Sequence, residues 1–146
     1  MKHLATLMCL MATITLFSCH QSDKTDYKAM MIGDWECIHE HHVNQAGNKS
    51  DVEDHNIISF KSDGTFTDKY NTGIVYEGTW TLNGRDLTID YEKVIENGVQ
   101  KNTSAAVMQG SGKLEKITDR EMTYKTHVTV PGFDGYMDIT QDFIRK

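Results

Sequence analysis

Residues 57–91 read IISFKSDGTFTDKYNTGIVYEGTWTLNGRDLTIDY, and this stretch decides the fold. Ile58 and Phe60 alternate with Ser59 and Lys61, Asp63-Gly64 supplies turn chemistry, and a new alternating run begins at Thr65-Phe66-Thr67. Ile74, Tyr76, Gly78, Trp80 and Leu82 then share one face, with Val75, Glu77, Thr79 and Thr81 on the other, the period of two expected of a half-buried strand. Asn83-Gly84 ends that run. Both residues tolerate positive φ, so the pair is a strong hairpin signal, and Leu87, Ile89 and Tyr91 alternate with Thr88, Asp90 and Glu92 beyond it. The stretch is an antiparallel meander with one apolar face.

Outward from this meander the same period recurs. Trp35 to Val43 reads as a first strand, with Trp35, Cys37, His39, His41 and Val43 on the face expected inward. Glu36, Ile38, Glu40 and His42 occupy the other face, which its two carboxylates assign to solvent. A loop from Asn44 to Asp51 precedes a second strand from about Glu53 to Lys61, and residues Glu96 to Thr103 form a later connection. From Ser104 to Ile117 the alternation slips around Gly110-Ser111-Gly112, where a bulge or bend is expected. Met122, Tyr124 and Thr126 share a face, Pro131 to Gly135 is a turn, and a last strand from Tyr136 to Arg145 puts Met137, Ile139, Gln141 and Phe143 on one side. Eight antiparallel strands in sequence order, with no long helix, close most economically as an up-and-down β-barrel, since closure removes exposed edges.

The chain of 146 residues suits one domain. Its N-terminus carries Lys2 and an apolar run from Leu4 to Phe17, the length of a signal-peptide core and too short for a membrane span, so residues 1–18 read as an export signal. Leu16-Phe17-Ser18-Cys19 resembles the lipobox of bacterial lipoproteins. That resemblance implies cleavage before Cys19, acylation of this cysteine with palmitate-type chains, and tethering to a bilayer, on the outer membrane of a Gram-negative cell given His20 and Gln21 after the cysteine. Residues 19–28 read as a polar tether, and 29–146 as the domain. Of three cysteines, Cys9 leaves with the signal and Cys19 takes lipid, so Cys37 has no internal disulfide partner. A net charge of −6 with dispersed carboxylates argues against nucleic acid as a partner.

Gly33-x-Trp35 opening the first strand, Phe60-Lys61-Ser62-Asp63-Gly64-Thr65-Phe66, and Gly78-Thr79-Trp80 with Leu82 and Leu87 together resemble the lipocalin-like lipoproteins of bacteria. The resemblance implies a lipocalin-like barrel over roughly residues 30 to 145. It also implies that Trp35 plugs one end with Met30 to Ile32 covering it, and that Arg145 packs across the indole. The chain departs from the family in carrying Cys37, His39 and His41 on a face expected inside.

Candidate chemistry gathers in two places. His39 and His41 lie about 7 Å apart on one strand face and admit a shared metal, zinc first, with His55 as a third ligand from the partner strand near residues 41–43. Cys37 and His41, roughly 13 Å apart, are too far for bonds of about 2.0–2.3 Å to one ion. Phe66, Tyr70, Tyr76, Trp80, Tyr91 and Tyr124, with His39 and His41, form the candidate ligand-binding wall for a small apolar or amphipathic molecule. No Gly-x-Ser-x-Gly, phosphate loop or paired-carboxylate motif occurs, so the expected role is not enzymatic and no cofactor is required. The leading reading is a membrane-anchored binding barrel. The alternatives are a filled barrel acting as an envelope accessory or inhibitor by contact with another protein, and a histidine-mediated zinc binder.

Overall fold

The computed structural model describes residues 25–53, 55–101, 109–129 and 135–146; residues 1–18, expected as an export signal, Cys19 and most of the turn expected at Pro131 lie outside them. A short helix α1 (Tyr27–Met31) leads into β1 (Gly33–Asn44), and then follow β2 (Lys49–Val52), β3 (Ile57–Phe60), β4 (Thr65–Lys69) and β5 (Ile74–Asn83). The remainder is β6 (Asp86–Glu96), β7 (Val99–Lys101), β8 (Gln109–Ile117), β9 (Glu121–Thr129) and β10 (Tyr136–Arg145). Asp26 caps α1 by accepting from Ala29 N at 3.0 Å, and Tyr27 packs against the core. The helix therefore begins inside the stretch that reads as tether.

The strands run β10-β9-β8-β6-β5-β4-β3-β1, and β1 pairs back onto β10 to close the ring. Eight antiparallel strands make the barrel, as the sequence predicts. The two short strands extend it: β2 pairs with β1 above β3, and β7 pairs with β6 above β8, so each continues an interrupted wall strand. The loop expected at 44–51 is accordingly shorter, because Lys49–Val52 is strand, and the connection expected at 96–103 contains the hairpin of β6 with β7.

Three bulges shape the wall. One leaves Ile38 unpaired between Cys37↔Phe143 and His39↔Asp142, a second leaves Glu92 unpaired opposite Glu77/Gly78, and a third leaves Glu115 unpaired in β8. The bulge expected at Gly110–Gly112 is thus displaced to Glu115, and both glycines pair regularly with β6, Gly110 with Ile89 and Gly112 with Leu87. The smallness of Gly112 serves packing instead. A Cβ on Gly112 would stand 2.8 Å from Tyr124 Cε2 and 2.2 Å from Lys125 O.

The core fills the end of the barrel where α1 and β10 finish: Met31, Trp35, Cys37, Ile58, Phe60, Phe66, Trp80, Leu87, Ile89, Leu114, Met122, Tyr124 and Phe143 are buried together. Most of these come from the alternating faces read in the sequence. The turns at 45–48, 70–73 and 97–98 mark the opposite end.

Candidate ligand site inside the barrel

The closed end is built around Trp35. Its Nε1 donates to Met31 O at 2.8 Å, so the helix that precedes the strand also satisfies the buried indole. The Arg145 guanidinium lies 4.2 Å from the ring centroid on its face. Its nitrogens donate to Asp119 O at 2.8 Å, Ile32 O at 2.9 Å and Met30 O at 2.5 Å, binding the end of α1 and the β8–β9 turn to the last strand. Gly33 sits at φ +133°, and a Cβ there would come 2.5 Å from Arg145 Nη1. The glycine of Gly-x-Trp is thus required both by its backbone and by the arginine above it. Arg85 fastens the same end, stacking 4.9 Å over Tyr27 and donating to Glu115 O at 2.7 Å.

Above this plug the wall is aromatic. Trp80 meets Phe60 edge-on at 5.2 Å, Phe66 meets Tyr91 at 5.2 Å, Tyr91 meets Tyr76 at 5.5 Å and Tyr76 meets Tyr70 at 5.7 Å, so a continuous file of rings climbs from the plug toward the open end. Phe60 joins the two halves through its tilted contact with Phe66. Gly78 makes the middle of the file possible: it pairs with Phe66 on one side and Tyr91 on the other, and a Cβ would stand 1.9 Å from Asp90 O and 2.9 Å from Phe66 Cε1.

Among the rings the wall turns polar. Asn56 and Asp68 are each 2% exposed, and Asn56 Nδ2 donates to Asp68 Oδ1 at 2.6 Å. On β1, one strand removed from β4, Glu40 accepts from Gln141 Nε2 at 2.7 Å and pairs with His42 Nε2. Burial, above all, pushes the Tyr91 phenol up, with Asp68, Tyr124, Tyr76 and Glu40 adding to it, and burial does the same to Tyr124. Both phenols stay neutral at ordinary pH. Asn56 Oδ1 and the Tyr124 hydroxyl are buried and have no hydrogen-bond partner among the described residues.

The structure brings together Phe66, Tyr70, Tyr76, Tyr91 and Tyr124 of the expected binding wall, with Trp80 lower in the core. It does not bring the histidines there. The bulge at Ile38 reverses the alternation of β1, so His39 is exposed and His41 stands outside, stacked on His39 at 5.9 Å between centroids. His41 Nδ1 lies 2.5 Å from Asp51 Oδ1 and its Nε2 lies 3.7 Å from Asp142 Oδ2. By the same reversal Glu40 and His42, expected in solvent, are turned inward, their side chains 16% and 21% exposed. His55 is exposed and lies lower on the wall than residues 41–43, whose partners are Lys49 to Asp51, while the neighbouring Asn56 O accepts from Cys37 N. Among the described residues no three His, Cys, Asp or Glu side chains converge as a metal site.

Of the polar wall residues, Gln141 stands on the side the sequence gives it with Ile139 and Phe143, and two that the sequence reading missed were accessible to alternation: Asn56 shares a side with Ile58 and Phe60, and Asp68 lies between Phe66 and Tyr70. A separate depression of about 480 Å³ marks the outer face over β6, β8 and β9, lined by Thr88, Ser111, Lys113, Lys125 and His127 among others.

Fold and site define a closed antiparallel barrel, plugged at one end and polar-aromatic within. Residues 31–124 match the family model of the lipocalin-like domain, and the chain belongs to that family. A crystal structure of a lipocalin-like protein from Bacteroides uniformis ATCC 8492 superposes with a TM-score of 0.50 at 13% identity, covering 80% of this chain and 99% of that one. The structure of EF1p2_mFAP2b bound to DFHBI gives a TM-score of 0.44 at 14% identity over 82% of this chain and 96% of that one. No curated protein matches the sequence.

Proposed function

We propose that this chain is a lipid-anchored binding protein whose barrel holds one small amphipathic molecule in the space faced by Tyr70, Tyr76, Tyr91, Tyr124, Asn56 and Asp68. One observation carries the reading: Asn56 Oδ1 and the Tyr124 hydroxyl are buried in an aromatic wall without a partner among the described residues. An unsatisfied buried polar group costs about 1–3 kcal/mol, a cost a bound molecule with its own polar groups would remove. The aromatic file supplies the apolar contact, and the plug at Trp35 supports entry from the opposite end. The anchor belongs to the same reading, since Leu16-Phe17-Ser18-Cys19 has the form of a lipobox.

Native mass spectrometry of the protein purified gently from its own organism tests this. Extra mass released only on denaturation is the expected result. A bare mass, together with failure to take up any ten-carbon amphiphile offered in excess, refutes it. That outcome would favour a filled barrel that works by contact, for which the outer depression over β6, β8 and β9 is the natural docking place.

A further inference from the structure

Given the lipid anchor of that reading, on which this step rests, we infer that the closed end of the barrel is the surface turned to the bilayer, and that the rim turns at 45–48, 70–73 and 97–98 face away from it. The length of chain between anchor and domain is the first ground. Cys19 lies six residues before Thr25, and six Cα steps span at most about 22 Å. Thr25 is held at the closed end. Its carbonyl accepts from Tyr27 N at 2.9 Å, Arg85 stacks 4.9 Å over the Tyr27 ring, and the same guanidinium donates to Glu115 O at 2.7 Å. The tether therefore enters the domain beside the plug.

The height of the barrel is the second ground. β1 runs 12 residues from the closed end to the rim. At roughly 3.3 Å per residue and a tilt of about 40° it rises about 28 Å, and the turn at 45–48 adds to that. A barrel standing on its rim would lift Thr25 farther than the tether reaches. Surface chemistry then decides between the closed end and a flank. Ile32 and Ile144 are 37% and 38% exposed at one corner of the closed end, where Arg145 Nη1 donates to Ile32 O. Apolar side chains of this kind sink into the headgroup boundary. Exposed Lys28, Lys61 and Arg120 offset Asp34, Asp63 and Asp119 at that end. The flank made by β2, β1 and β10 also carries exposed apolar groups, Val52 and Tyr136, but it turns out Asp51, Asp138 and Asp142, which an anionic leaflet repels.

Fluorescence quenching on vesicles tests the orientation. The full chain, expressed with its own N-terminus and purified in acylated form, is added to vesicles of phosphatidylethanolamine and phosphatidylglycerol that carry a nitroxide on a fraction of their headgroups. A fluorophore is attached through Asp119→Cys at the closed end or through Ala46→Cys at the rim; Cys37 is buried and stays unlabelled in the folded chain. Arg120→Cys and Asn48→Cys replace them if circular dichroism shows either of the first pair to be unfolded. The label at position 119 is expected to be quenched severalfold more strongly than the label at position 46. Equal quenching at the two positions, or stronger quenching at the rim, in protein that still floats with the vesicles would overturn the inference and leave the anchor standing. A chain that carries no acyl group and does not float with the vesicles would sink both.

Discussion

Replacing Gly33 by alanine should loosen the closed end through the arginine above it. Two costs are involved, and they can be separated. The first is conformational: φ +133° lies outside the regions open to a side-chain-bearing residue, and forcing alanine there costs about 1–3 kcal/mol. The second is displacement, because the new Cβ would sit 2.5 Å from Arg145 Nη1. Arg145 would have to swing away from its contact with Trp35, at about 0.5–2 kcal/mol, and strain its donations to Met30, Ile32 and Asp119. Those donations are partly exposed, so only about 1–2 kcal/mol is assigned to them. The single variant should therefore lose about 2.5–7 kcal/mol, whereas in an Arg145→Ala background it should lose only the conformational part, about 1–3 kcal/mol. Urea unfolding of the four chains of this cycle, followed by tryptophan fluorescence, gives the coupling directly. Additivity within about 0.5 kcal/mol would refute the reasoning, since Gly33 would then act on the backbone alone.

Asn56→Ala removes the donor 2.6 Å from buried Asp68 and should cost about 1–3 kcal/mol in the same unfolding assay. Gly78→Ala drives a Cβ against Asp90 O and should cost more than about 3 kcal/mol, visible as a lowered urea midpoint. His41 should titrate above the ordinary value of 6.5, chiefly through its hydrogen bond to Asp51, with the Asp51 and Asp142 charges adding to it. Asp51→Asn should bring it down, as read by NMR of the imidazole. Because the folded value is raised, whatever stability this pair lends to the β1–β2 hairpin is fully present below pH 6.5 and is lost as pH rises through the folded-state value. Cys19→Ser should abolish palmitate labelling and move the protein from the membrane pellet to the soluble fraction.

The barrel was legible because its signal is repeated and local. From Ile74 to Leu82 and from Leu87 to Tyr91 the period of two survives to the structure, and the chain turns at the expected place, although Asn83 stays in the strand opposite Asp86 and only Gly84 takes positive φ, +61°. The orientation of the upper half of β1 was not legible. The unpaired residue is Ile38, which carries no bulge signature, and its looping out is fixed by the register β10 imposes, with Phe143 held opposite Cys37 and Asp142 opposite His39. A strand cannot announce a register that a partner about 100 residues later determines. Continuing the alternation therefore put His39 and His41 inside and Glu40 and His42 outside, the reverse of what forms. Glycine misled in the opposite way at Gly110 and Gly112: Gly112 makes room for Tyr124, both pair regularly, and the slip falls at Glu115.

The seam between β1 and β10 has a consequence for how the molecule comes into being. Trp35 pairs with Arg145, so the first wall strand waits for the last residues of the chain before its second edge is covered. Until then the growing polypeptide is an open sheet with an unpaired edge at either side, exposed to wrong partners. Closing a loop of this length adds to the entropic barrier, and ordering dominated by distant pairings is slow. The contact that completes the ring also sets Arg145 over Trp35, so the plug engages only when the ring is whole. A chain missing its final strand would leave Trp35 without the Arg145 cover and one edge of β9 unpaired, and its fate would be aggregation rather than a looser barrel.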